Sequence, residues 1–430
     1  MLRMNRKLSK LKMLGDKIDI AIVGLGKMGQ GLVHQLMRID GICPLILVDE
    51  DVDKAYQTLI TSGIKEEDIV ITNKKDQVNL ALKNGSFVVS EDYSLALDVP
   101  RIRAVVDATG NPPFGAQLAY ESIQAKKDII MLNVECDSLV GPVLNKYASE
   151  NDVVYTGSAG DEPGAIMELV DFSLSLGFDL KAVGKGKNNP LNHYITEDEL
   201  REEAESKGLY PKILASFVDG TNTMIELNTV CNAIGFKPDV MGCHGIKTTP
   251  KTIAQDLSLK SQGGILNSYG VVDFAFGMAP GVFAIVSHES QEVRDLMKYM
   301  SMGDGPNYCI YRPYHLTSLE TPITIYRAVV ERESTIAPLK GQEADVVALA
   351  KRDLKKGQSL EGMGGRDLFG QLTSHQSLDP ESYLPLALIG KRARLKRDIK
   401  KDEILKIEDV DLDEGQFLYR LRKKQEDLGL

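Results

Sequence analysis

The stretch IDIAIVGLGKMGQG, residues 18–31, decides the fold. Its first six residues form a short apolar run of β-branched character, the signature of a buried strand. Gly24, Gly26 and Gly29 follow at once in G-x-G-x-x-G spacing, and LVHQLMRI (32–39) sets Leu32, Val33, Leu36 and Met37 at helical spacing. LILVDED (45–51) is the next strand, and Asp49 stands 20 residues after Gly29. This order of strand, glycine turn, helix, strand and acid is that of a dinucleotide-binding unit. Gly24 allows the tight turn, Gly26 lets the backbone reach a pyrophosphate, and Gly29 permits close helix packing. Lys27 and Met28 open the helix, whose free N–H groups favour an anion. Asp49 would accept hydrogen bonds from a ribose and repel a 2′-phosphate.

Downstream, the same rhythm repeats. RAVVDATGNP (103–112) is a strand with Thr109 and Gly110 at its exit, where a doubly wound sheet binds its ligand. IIMLNVECD (129–137) brings Asn133 and Glu135 to a strand exit, and VVYTGSAGDEPG (153–164) brings Asp161 and Glu162 to a turn. A helix follows in GAIMELVDFSLSLGF (164–178). The rhythm then breaks. DLKAVGKGKNNPLNHY (179–194) is a strand and polar turn, and ILASFVDGTNTMIELNTVCNAIG (213–235) is a turn and helix ending at Gly235. VVDFAF (271–276), GVFAIVSH (281–288) and TPITIYRAVV (321–330) are expected as strands of a second sheet. KRDLKKGQSL (351–360) and KRDIKKDEIL (396–405) form an internal repeat at an offset of 45, six of ten positions being identical. The fold class expected is therefore α/β. It comprises an N-terminal Rossmann domain (1–160), a central α+β domain (161–340), to which the resemblance given below assigns catalysis and dimerisation, and a small all-β domain (341–430).

With 51 Lys and Arg against 61 Asp and Glu, the chain of 430 residues carries a net charge of −10, which argues against a nucleic-acid partner. The start, MLRMNRKLSKLKMLGDK, is basic without a signal-length apolar run, and no stretch is long and apolar enough for a membrane span. Five scattered cysteines, none in a CxxC pair, form no zinc or disulfide pattern and fit reduced thiols in a cytoplasmic location.

The segments VGLGKMGQG, VDATGNP, MLNVECD, GDEPGAIMELVD, VGKGKNN, SFVDGTNTMIE and GDGPNYCIYRPYHLTSLETP, with the terminal repeat, span nearly the whole chain. Together they resemble the homoserine-dehydrogenase-like oxidoreductases with a C-terminal SAF (β-clip) domain, a group that includes the second type of 1-deoxy-D-xylulose 5-phosphate reductoisomerase-like enzymes. The resemblance implies a homodimer that uses NAD(P)H on a small phosphorylated or polyhydroxy carbonyl compound. It also implies that substrate contacts vary at Asn188 and Asn189, the turn after GKGK.

Among the candidate residues, Lys185 and Lys187 are two apart in one strand and so share a face, suited to an anionic substrate and to protonating an alkoxide. Asp219, Thr221 and Asn222 sit at a helix start, where they either bind substrate or cap the helix. Arg312 would grip a phosphate, with His315 beside it, or both belong to a packed aromatic turn. Glu135, Asp161 and Glu162 would hold Mg²⁺ or Mn²⁺, or serve as caps and ribose acceptors, and Glu162 is also a catalytic candidate. Other functions remain open: a homoserine-type or hydroxy-acid dehydrogenase, and a non-catalytic dinucleotide sensor.

Overall fold

The computed structural model describes residues 3–375 and 383–430. By packing, the chain divides into two compact units, Met1–Gly164 with Leu316–Ala337, and Ala165–His315 with Pro338–Leu430. The residues expected as a separate module from 341 therefore pack with the central segment.

The first unit is built on seven strands: β1 (Ile18–Val23), β2 (Ile42–Val48), β3 (Ile69–Ile71), β4 (Phe87–Ser90), β5 (Ile102–Asp107), β6 (Asp128–Met131) and β7 (Tyr155–Gly157). Their order is β3-β4-β2-β1-β5-β6-β7, and every pair is parallel. The strand order reverses between β1 and β5, so a crevice opens at the carboxyl ends of these two strands. Parallel strands covered on both faces need apolar residues at every position, as the six buried residues of β1 show. Ile20 and Ile22 of β1 meet Leu32, Val33 and Leu36 of helix Lys27–Leu36 in one core, each such side chain contributing about 1.5–3 kcal/mol on burial.

TPITIYRAVV does not form a strand. Residues Thr321–Tyr326 are helical, with Pro322 in the first turn, and continue into a wider turn at Arg327–Glu331. Ile325, Tyr326 and Val329 join the core of the first unit. Their i, i+1, i+4 spacing is a helical face that the run of β-branched residues disguises.

The second unit contains β8 (Asp179–Lys187), β9 (Lys237–Pro238), β10 (Ile246–Lys247), β11 (Val271–Phe276), β12 (Val282–Ser287) and β13 (Asn307–Arg312) in a mixed sheet of order β10-β11-β8-β12-β13, with β9 on β11. It also contains β14 (Ala344–Ala350), β15 (Leu368–Ser374), β16 (Arg394–Leu395) and β17 (Val410–Asp411), two antiparallel pairs. The repeat becomes a local two-fold. Leu354 and Ile399, equivalent positions, exchange both backbone hydrogen bonds at 2.8 and 3.0 Å. Lys355 pairs with Asp398 at 2.8 Å, as Lys400 pairs with Asp353 at 3.4 Å. Of the basic residues between Lys391 and Lys401, Lys400 meets Asp353 of the other copy, and Arg397 meets Glu403 and Asp409. Among the described residues, no helix is long and apolar enough to cross a membrane, and all five cysteines are free thiols.

Candidate functional site

In the first unit, the glycine turn is built as its spacing requires. Gly24 has φ +94°, and a Cβ there would lie 2.7 Å from the Ala108 backbone; a Cβ on Gly29 would overlap the Gly24 carbonyl at 2.0 Å. Gly26, by contrast, has nothing within 4 Å of a Cβ, and Gly26, Lys27 and Met28 are exposed at the helix start. The first two glycine-loop contacts explain why the chain can turn so sharply. The open ground at Gly26 fits a pyrophosphate approaching free N–H groups. Asp49, at the end of β2, is nearly buried. It accepts from the Leu25 N–H at 2.5 Å and the Asp51 N–H at 2.9 Å, and Lys54 Nζ lies 3.1 Å from it.

The second strand exit is organised by Asp107, which sequence reasoning passed over. It is fully buried and accepts from the Thr109 hydroxyl at 2.6 Å, the Thr109 N–H at 3.0 Å and Asn133 Nδ2 at 3.1 Å. Burial pushes its pKa up while those donors oppose the rise. Asn133, expected to touch the cofactor, is itself fully buried. It caps helix Val134–Glu150 and donates to the Asn111 carbonyl at 3.1 Å, so it fixes the turn that presents Thr109 and Gly110. Its only legible signal was its place just after a strand. Gly110, at φ +60° and with open space around it, leaves that turn accessible.

Glu135 begins the same helix. Its side chain keeps some exposure, yet loss of hydration and then the nearby Asp107 charge push its pKa up to about 7. The structure does not bring Glu135 into one ligand cluster with Asp161 and Glu162, which lie together after β7, at and just before the start of helix Glu162–Ser175. The expected Glu135–Asp161–Glu162 metal set is corrected accordingly.

In the second unit, Lys185 and Lys187 do share one face of β8, both buried. The adjacent glycines, Gly184 and Gly186, are required by packing on the opposite face. A Cβ on Gly184 would fall 1.8 Å from the Asp273 carbonyl oxygen, and one on Gly186 would fall 2.1 Å from the Ala279 nitrogen. The opposite face is filled by the chain's own backbone, so only glycine fits there. Lys185 is paired with Glu226, a buried carboxylate on helix Thr221–Ile234. Asn222, one turn earlier, donates to Glu226 at 2.6 Å. Lys187 donates to the Phe217 carbonyl at 2.5 Å; burial and then the Lys185 charge bring its pKa down to about 8.

Arg312 belongs to the same wall. Lys185 lies opposite Val282 on β12, and Val282 opposite Arg312 on β13, so both cations stand in one row and on one face, two strand spacings or about 10 Å apart. Arg312 is paired with Glu168 at 2.9 Å and lies over the Tyr314 ring at 4.7 Å. His315 is half-buried, while Asn188 is exposed and Asn189 half-buried at the end of β8.

Asp219 and Thr221 take the structural side of the two readings open to them, in the bonds that they make within the chain. Asp219 is fully buried, accepts from the Thr221 N–H at 2.8 Å and sits 2.9 Å from Lys351 Nζ. Burial pushes its pKa up against the pull of Lys351. The Thr221 hydroxyl accepts from the Gly370 N–H at 2.9 Å. Glu226 and Lys351 were missed, the first because it sits mid-helix among apolar residues and the second because it reads as one of many turn lysines.

Residues 160–321 match the family described as oxidoreductase DRL, catalytic domain. No curated protein matches the chain. Among solved structures, a probable dehydrogenase from Thermotoga maritima is 13% identical, with 75% of this chain and 92% of that chain covered and a TM-score of 0.42. A DOX-P reductoisomerase in complex with magnesium is 14% identical, with coverages of 74% and 70% and a TM-score of 0.41. A putative myo-inositol dehydrogenase from Sinorhizobium meliloti is 10% identical, with coverages of 75% and 93% and a TM-score of 0.39.

Proposed function

We propose that the chain is a nicotinamide-dependent oxidoreductase that reduces a small anionic carbonyl compound, phosphorylated or polyhydroxylated, in a reductoisomerase-like reaction. The observation that carries this reading is the row of cations on one face of the second-unit sheet: Lys185, Lys187 and Arg312, two of them buried. Glu226 and Glu168 offset two of these charges, so the wall keeps an excess of one, which in an acidic chain suits an anionic substrate. The open, exposed turn Gly26–Met28 and the Thr109–Gly110 turn fit a dinucleotide, which supplies hydride when bound.

The chain's own residues do the rest. Hydride arriving at a carbonyl carbon leaves negative charge on its oxygen, which must be stabilised and protonated. Lys187 is the better proton donor of the pair, with a pKa near 8 and N–H groups beyond the one given to Phe217. Lys185, fixed by Glu226, supplies positive charge to the developing alkoxide. Arg312 faces the anionic end of the substrate. Asp161 and Glu162 are the carboxylates available to a divalent cation, which would chelate a hydroxy-ketone. The internal two-fold supports reading the C-terminal part as a SAF-like β-clip, and a homodimer is the assembly proposed.

The test is NADH and NADPH oxidation with a panel of 1-deoxy-D-xylulose 5-phosphate, aspartate semialdehyde and tetroses. Turnover of one panel member is expected, and Lys187→Met should cut kcat by roughly 10²- to 10⁴-fold with cofactor affinity unchanged. Tight cofactor binding without turnover of any carbonyl compound would instead favour a dinucleotide sensor. Loss of kcat in Lys185→Met alone would return the donor role to Lys185.

A further inference from the structure

The dinucleotide turn occupies the carboxyl ends of the first-unit strands. Their amino ends hold a second feature, a cavity of about 450 Å³ where β5 and β6 begin. Its charged lining is Arg103, Lys126, Lys127 and Arg332 against Asp128 and Asp152. That is an excess of two positive charges in a chain whose net charge is −10. Asp128 is already engaged: both its oxygens lie 2.8 Å from Arg332 Nη1, and one accepts from the Val154 N–H at 2.8 Å.

The cations left over hold only uncharged acceptors. Lys127 is 6% exposed and donates to the Val99 carbonyl at 2.8 Å, with no carboxylate in ion-pair reach among the described residues. An ammonium has three N–H groups, so two remain to be satisfied. Arg103 donates Nη2 to the Val329 carbonyl at 3.0 Å, one of its five N–H groups, and likewise makes no ion pair among the described residues. Lys126 holds the Asn151 carbonyl and side chain at 3.0 and 2.8 Å. Burying an ammonium for one carbonyl is unfavourable, and burial does hold the Lys127 pKa below that of an ordinary lysine. An apolar residue would fill the same space at lower cost. The surplus charge has a use if an anion enters.

We propose that this cavity binds a small, multiply charged anion, of the phosphate or polycarboxylate type, held by Lys127 and Arg103 and flanked by Lys126 and Arg332. The site lies one strand length, about 20 Å, from the dinucleotide turn, so it is separate from the cofactor crevice. Guanidinium and ammonium groups together suit oxygen-rich anions, the first by paired hydrogen bonds and the second as a point charge.

Isothermal titration of pyrophosphate and of citrate into the full chain tests this, with Arg103→Gln and Lys127→Met beside the wild type. Saturable binding of at least one anion is expected, weakened about tenfold or more in each variant and falling as salt rises. Pyrophosphate alone would assign a phosphate-bearing ligand, and citrate alone a polycarboxylate. Circular dichroism and Tm check folding; Arg103 is exposed, so Arg103→Gln decides the matter should Lys127→Met not fold. Absence of saturable binding by either anion overturns the proposal. So does equal affinity in the wild type and the folded variants, which would seat the anion elsewhere, at the dinucleotide turn in the first instance.

Discussion

Lys187 links site chemistry to stability. Its pKa of about 8 in the folded chain, against 10.5 for an ordinary lysine, means that the folded state loses this proton first. Between those two values the unfolded chain binds more protons, so stability rises with pH there; below about pH 8 the full cost of the buried charge is present. The shift corresponds to about 3.5 kcal/mol at about 1.4 kcal/mol per pH unit. Urea unfolding of wild type and Lys187→Met from about pH 7 to about pH 10 should show the wild type gaining up to that amount relative to the variant. Parallel curves would mean that Lys187 is hydrated. Asp49 carries a second expectation at this scale. Its carboxylate near the ribose position disfavours a 2′-phosphate, although Lys54 at 3.1 Å offsets part of the repulsion. NADH should bind more tightly than NADPH, and Asp49→Ser should move the ratio of dissociation constants towards NADPH by about tenfold or more. Fluorescence titration with both cofactors reads the ratio, and an unchanged ratio would show Asp49 turned from the ribose. Asp49 was legible in the sequence because its strand, turn and helix are local. Glu226 was not, because its partner Lys185 stands 41 positions earlier and only the folded chain pairs them.

At the scale of elements, helix Thr221–Ile234 is the part that the rest of the second unit positions. It bears Asn222 and Glu226, and its start is held through Asp219 by Lys351, just beyond β14. Lys351 also donates to the Ile195 and Gly365 carbonyls, both at 2.8 Å, so its ammonium is fully used. Lys351→Met leaves the Asp219 carboxylate buried without its cation and should cost about 3–5 kcal/mol, whereas Lys351→Met with Asp219→Asn should cost much less. Urea unfolding of the two single variants and the double measures the coupling, and additive losses would dissolve the pair. This junction explains what the sequence concealed. The repeat, the glycine turn and the strands β1, β2, β5, β6, β8, β11 and β12 are local patterns and were legible. The order of the second sheet, the helical fate of TPITIYRAVV and the backbone packed against Gly184 and Gly186 depend on partners far along the chain.

For the whole molecule, the two compact units are unequal in their use of the chain ends. The first takes Met1–Gly164 and Leu316–Ala337, so a chain ending at 337 retains every segment of it. The second loses Pro338–Leu430, and with it Lys351 on Asp219, the Gly370 N–H on Thr221 and the antiparallel pair β14–β15. Removing these residues strips apolar cover and buried polar partners together, which exceeds what a domain of ordinary stability tolerates. The expectation for the 1–337 chain is therefore divided. NADH should bind with a dissociation constant within a factor of a few of the full chain's, because the Gly24–Gly29 turn and Asp49 belong wholly to the first unit. The second unit should lose its cooperative transition and bind the dye ANS, the behaviour of a collapsed segment without fixed packing. Carbonyl reduction should disappear, since helix Thr221–Ile234 no longer fixes Lys185. A 1–337 chain that kept full turnover and a cooperative second transition would show the C-terminal segment to be a dispensable cover; one that bound no NADH would show that the first unit does not stand by itself.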